Sequence, residues 1–209
     1  MQRLRDLLFR TSPRLVAATS GPARRAALFG GIAVFAWWAC WSATTAGAAD
    51  DARTLEERVK AAYLYRFAEY VEWPEGAFAR RDTPVTIGVI GSETLADELA
   101  QAVMGRMVND RPVTVKRLKP GEPLTGVHVL FIGRSESARL NQLAQGAQPR
   151  SILTVTESDG ALAQGSVINF IVADRRVRFE ISLESAEKSK LRLSSRLLAV
   201  AQQVRTGTP

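Results

Sequence analysis

The chain has 209 residues, with 28 Lys and Arg against 21 Asp and Glu, a formal charge of +7 and a sequence pI near 10.2. Six of the basic residues and one acidic residue lie in the first 48, leaving 22 against 20 beyond; the basic surplus therefore belongs largely to the leader and gives no support to nucleic-acid binding. The single cysteine, Cys40, is also in that leader, which excludes disulfides, thiolate metal sites and a thiol nucleophile from residues 49–209.

The leader itself reads as a targeting segment. Arg3, Arg5, Arg10, Arg14, Arg24 and Arg25 precede the apolar "AALFGGIAVFAWWACWSA", and Ala46-Gly47-Ala48 supplies a small-x-small cleavage site. These are the parts of a secretory signal peptide, so residues 1–48 are expected to be removed and residues 49–209 to form one exported domain. The competing reading is an uncleaved anchor, because Ala26 to Ala43 is an uncharged run of 18 residues, at the lower edge of a bilayer span. The polar "SATT" that ends the run favours cleavage. Lipidation at Cys40 would need a better approach sequence than "WWA".

Beyond the leader, Thr54-Leu-Glu-Glu57 has capping-box spacing, and Leu55, Val59, Ala62, Tyr63, Phe67, Tyr70 and Val71 recur at three- and four-residue steps. That predicts an amphipathic helix from Thr54 to Trp73-Pro74, where the proline pushes its predecessor out of helical geometry. "VTIGVIG" (85–91) predicts a buried strand and "SETLADELAQAV" a helix capped by Ser92; "RPVTVKRL" (111–118) and "VHVLFIG" (127–133) follow as strands. Ser135 can cap a helix to about Gln145, and "SILTV" (151–155) is a fourth strand. "SVINFIVADRRVRFEISL" predicts a hairpin of strands 166–173 and 176–183 turning at Asp174-Arg175. A short helix, the extended "LRL" and a last helix from Ser194 or Ser195 complete the chain. The expected fold class is α/β: one domain with a mixed, largely parallel sheet flanked by helices, and a C-terminal β-hairpin.

Several residues are candidates for chemistry. Val89-Ile90-Gly91-Ser92-Glu93 and Phe131-Ile132-Gly133-Arg134-Ser135-Glu136 are similar strand ends where helix amides could meet an anion, but neither has nucleotide-loop spacing, and ordinary turn and cap chemistry accounts for both. His128, the one histidine, stands in an apolar strand without other ligands or a nucleophile and reads as a hydrogen-bonded structural residue. Glu69, Glu72 and Glu75 form an acidic row that acid–base chemistry could use, though a wet helix face is the simpler account. Lys190, Arg192 and Ser194 alternate along an extended piece and favour an anionic group or a solvated edge. No catalytic, metal or cofactor set emerges. Tyr63, Phe67 and Tyr70 are expected in the core; Glu72, Arg192 and Ser194 are the candidate ligand residues, and Trp73, Phe78 and Tyr65 the candidate partner-binding ones.

"KAAYLYRFAEYVEWP" resembles the opening signature of the YfiR family of small exported regulators. The likeness continues through "VTIGVIG", "GRMVNDRPVTVKRL", "VHVLFIG", "LTVTES" and "GSVINFIVADRRVRFEISLESAEKSKLRLSSRLLAVAQQV", covering about residues 55–204. Gly88 and Val127 stand where members often carry cysteines, Arg66 where asparagine is common, and Lys190 where glycine is common. The resemblance implies a non-enzymatic periplasmic protein, a homodimer, that binds the sensory domain of an inner-membrane diguanylate cyclase. It would repress that cyclase, lowering cyclic di-GMP and biofilm formation, and be released by an outer-membrane lipoprotein or another envelope signal. A periplasmic binder of a small anionic or nucleotide-like ligand is the alternative.

Overall fold

A computed structural model describes residues 45–207, with side chains from Asp51 onward; the expected leader, apart from residues 45–48, lies outside the described residues. The first element is helix α1, Thr45–Glu69, which differs from expectation at both ends. It starts nine residues before Thr54, so Thr54 lies inside the helix and not at its N-cap, although Gly47, Asp50 and Asp51 in the added stretch are weak helix formers. It stops short of Trp73, with Tyr70 N–H donating to the Phe67 carbonyl at 3.1 Å, and Val71–Glu72 become strand β1. Strand pairing with a distant segment thus overrides the helical periodicity.

Strand β2 (Val85–Ile90) leads into α2 (Glu93–Ala102), whose N-cap Ser92 accepts the Leu95 amide as expected. A short hairpin follows, β3 (Met107–Val108) and β4 (Arg111–Arg117), turning through Asn109 and Asp110 at φ 49 and 63. Two successive positive φ values define the turn type whose twist suits a two-residue hairpin. Strand β5 (Val129–Ile132) is followed by a 3₁₀ segment, Arg134–Arg139, and only then by α3 (Leu140–Ala147). Ser135 does not cap that helix: its hydroxyl donates to the Gly91 carbonyl at 2.9 Å. Strands β6 (Leu153–Thr156), β7 (Ile168–Ala173) and β8 (Arg176–Ser182) come next, the last two in the expected hairpin turning at Asp174-Arg175. Helix α4 (Leu183–Lys188), strand β9 (Arg192–Leu193) and α5 (Ser195–Val200) precede a last strand, β10 (Gln203–Arg205), where a continued helix was expected. Gln202 N–H bonds the Phe179 carbonyl at 2.8 Å and Arg205 reaches the buried Glu180, so the sheet edge captures the segment.

The main sheet has the order β10-β8-β7-β6-β5-β2-β4-β3. The run from β7 through β4 is parallel, the β7–β8 and β3–β4 hairpins are antiparallel, and β10 lies parallel to β8. Separately, β1 and β9 form a two-stranded antiparallel ribbon. This is the mixed α/β sheet that the alternation of strands and helices predicts.

Period-two alternation separates the two faces. Ile87, Val89, Val129, Phe131, Leu153 and Val155 join one core with α1, α2 and α5, whereas Ile90, Leu130 and Ile132 join Ala147, Ile152 and Leu118 on the other side, toward α3. In the first core Phe67 meets Phe179 edge-on at 4.9 Å and Phe170 stacked at 5.6 Å, and Tyr63 stacks on Phe67 at 5.8 Å. Burying a ring of this size stabilises by roughly 2 to 3 kcal/mol. Between β6, β7 and β8 runs a buried polar chain: the Thr156 hydroxyl donates to Asn169 Oδ1 at 2.8 Å, and Asn169 Nδ2 donates to Glu180 at 3.0 Å.

Candidate functional site: a stacked aromatic corner

The segment after β1 turns at Trp73-Pro74 and returns through Phe78 to β2. Phe78 lies parallel to the His128 imidazole, centroids 4.3 Å apart and planes inclined by 11°. The Arg111 guanidinium lies 4.0 Å from the Phe78 centroid. Because the imidazole occupies one face of the ring, the guanidinium takes the other, a cation–π contact added to an aromatic stack. Arg111 is in turn fixed by donating to the carbonyls of Arg80 and Thr83 at 2.9 and 3.0 Å. Trp73 closes the group edge-on, 5.7 Å from Phe78 and 6.4 Å from His128.

His128 is the hinge of this corner. The Thr86 amide donates to Nδ1 at 3.2 Å, so the neutral ring carries its proton on Nε2, beside the Ala77 carbonyl. Burial pushes its pKa below the ordinary imidazole value; the Ala77 carbonyl opposes that shift and the nearby Arg111 charge adds to it. At neutral pH the residue is an uncharged pin between strand β2 and the loop. Trp73 Nε1 is buried and has no acceptor among the described residues, an unpaired donor in an otherwise packed corner.

The predicted ligand residues do meet. Register pairs Glu72 with Arg192 across the β1–β9 ribbon, and their charged ends approach to 3.9 Å, both well exposed. Ser194 is beside them, but its hydroxyl accepts the Leu197 amide as the N-cap of α5 and its own amide donates to the Tyr70 carbonyl at 3.0 Å. Of the predicted partner residues, Trp73 and Phe78 are half-buried and in contact with each other. Tyr65 is elsewhere: it is 8% exposed, its hydroxyl donates to the Met107 carbonyl at 3.1 Å, and Arg106 lies over its ring. Sequence reasoning did not find Arg111 as part of the corner, since its role depends on β4 lying beside β2, which no local signal announces.

A sequence model of the YfiR/HmsC-like family matches residues 57–202. The chain belongs to that family. The matched stretch runs from the middle of α1 to the residue before β10, and so contains the corner, the ribbon and the whole parallel core. YfiR/HmsC-like proteins are periplasmic regulators rather than enzymes, consistent with control of a diguanylate cyclase through a protein partner. No helix among the described residues is long and apolar enough to cross a membrane. A Cβ on Gly88 would lie 3.2 Å from Val127 Cγ1 and 2.7 Å from Leu118 Cδ1, so apolar side chains fill the space beside this strand.

Proposed function

We propose that this YfiR/HmsC-like protein is exported by its leader, binds the periplasmic sensory domain of an inner-membrane diguanylate cyclase and holds that cyclase in its less active state. Lower cyclic di-GMP and less biofilm follow. The observation that carries this reading is the family match over residues 57–202. A repressor of this kind needs a surface with higher affinity for one state of its target, not a reaction centre. Trp73, Phe78 and the exposed Glu72–Arg192 pair offer such a surface: aromatic bulk for affinity, and a charge pair that a partner's own charges can replace. Homodimerisation, and release by an outer-membrane lipoprotein, belong to the same proposal by family likeness.

The test has two arms. Solubilised inner membranes passed over the immobilised protein are expected to yield a membrane protein that joins a periplasmic domain to a cyclase domain, and deletion of the gene is expected to raise cellular cyclic di-GMP. Unchanged cyclic di-GMP after deletion, over several growth conditions, would sink the proposal. The alternative, a periplasmic binder of a small anionic ligand at Glu72, Arg192 and Ser194, predicts instead a calorimetric signal with nucleotides or amino acids that Arg192→Ala removes.

A further inference from the structure

The chain reverses its direction of travel across the sheet at β2: β4 is added on one side of it and β5 on the other. In open α/β sheets the crevice at the carboxyl ends of such neighbouring strands is left uncovered by the connections, and ligands gather there. Here a cleft of about 390 Å³ opens at that place, within the size range of small-molecule sites, walled by Arg53 and Glu57 of α1, Gly91 to Thr94, Arg134, Ser135 and Glu157. The two glycine turns are pressed together at its floor. Gly133 N–H bonds the Ile90 carbonyl at 2.8 Å, and a Cβ on Gly133 would come 2.5 Å from the Gly91 oxygen.

The cleft has two chemically different ends. Lys60, buried beneath it, is 2.6 Å from Glu56, 2.6 Å from Glu157 and 3.4 Å from Glu57. An ammonium has three N–H donors, so these carboxylates exhaust it. Glu157 gains a further donor from the Arg134 amide at 3.0 Å, but Glu57, a residue 8% exposed, keeps its Oε2 buried and without a partner among the described residues. Burial raises the Glu57 carboxyl above its ordinary value, with Lys60 offsetting part of that shift and Glu157 adding to it. That oxygen wants a donor.

The other end wants an anion. Helix α2 is ten residues long, and the amides of Glu93 and Thr94 in its first turn have no intrahelical acceptor. The carboxylate of Glu93 is drawn aside by Arg117 at 3.3 Å. Arg53 is exposed and makes no ion pair among the described residues; Arg134 spends Nε and Nη2 on the Glu157 carbonyl and keeps its remaining donors.

We propose that this crevice binds a small molecule that carries an anionic group together with an N–H or O–H donor, the anion held by the α2 amides with Arg53 and Arg134, the donor by Glu57. The site does not depend on the repressor reading. It is at the opposite end of α1 from the aromatic corner, with Arg53 and Glu69 about 24 Å apart at the helical rise per residue.

Titration of the purified protein with O-phosphoserine, glycerol phosphate, serine and inorganic phosphate, followed by two-dimensional amide NMR, tests this. The expected result is a saturating shift of the Glu93, Thr94 and Arg134 amides with at least one donor-bearing probe, weakened about tenfold by Arg53→Ala, a change of roughly 1.4 kcal/mol. Glu57→Gln is expected to alter the preference for donor-bearing probes over phosphate. Because Arg53 is on the surface, its variant folds even if the Glu57 variant does not. No saturating shift with any donor-bearing probe, equal affinity for inorganic phosphate, or an affinity indifferent to Arg53→Ala overturns the proposal. Binding here with no effect of gene deletion on cyclic di-GMP would leave this site standing while removing the repressor.

Discussion

At the scale of single residues, His128 decides what the corner does with pH. Its folded pKa lies below the ordinary value of 6.5, so the unfolded chain binds the proton more readily than the folded one. The stability it contributes is therefore present above about pH 6.5 and is lost as pH falls from there toward the lowered value. Glu57 shifts in the opposite sense, upward from 4.5, so the two must be separated by difference. Thermal unfolding followed across that range is expected to show a decline in the wild type that His128→Asn lacks; parallel curves would remove His128 from the account. That His128 is structural was legible from one histidine in an apolar strand. Its partners were not, because the loop at Ala77-Phe78 and Thr86 of β2 both lie 42 or more residues before it in the chain.

At the scale of elements, the parallel strands, α2 and the β7–β8 hairpin were legible because buried runs, a Ser N-cap and local turns are short-range signals. Two of the failures share one physical cause. Val71–Glu72 and Gln203–Arg205 have local patterns that continue a helix, yet each is taken by a strand remote in sequence, β9 and β8 respectively. The face of α1 was read well at Phe67, and Phe67→Ala is expected to cost about 3 to 5 kcal/mol in urea unfolding, since the site is closed in by Phe170 and Phe179. A loss under about 1 kcal/mol would mean that the helix does not rest on the sheet there. Tyr65, whose burial the helical pattern left open, is settled by the Met107 carbonyl that receives its hydroxyl.

At the scale of the whole molecule, the candidate regulatory surface and the crevice are separate features of one α/β unit, joined by α1. The Glu72–Arg192 pair is exposed, so it should add little to folding, within about 0.5 kcal/mol, and be free to serve recognition. Arg192→Glu is expected to leave the melting temperature nearly unchanged while weakening capture of the proposed cyclase partner; unchanged capture would move the interface away from the ribbon. Glu72, Arg192 and Ser194 were grouped from sequence as ligand residues, but the register that pairs Glu72 with Arg192 was not legible there. The crevice was visible only as two similar strand ends, since nothing local says that β2 and β5 are neighbours or that Glu157 and Lys60 close over them.

The placement of β10 bears on how the protein matures. Gln203–Arg205 cover Glu180 to Ser182, and Arg205 supplies the cation beside Glu180, so the outer margin of the sheet is completed by a strand that follows all the others in sequence among the described residues. A polypeptide that emerges amino end first can assemble β2 to β8 and still present a bare strand margin with an uncompensated carboxylate. The sheet is thus closed only once β10 is in place: stalling or truncation at residue 202 leaves an open edge of the kind that seeds association between copies.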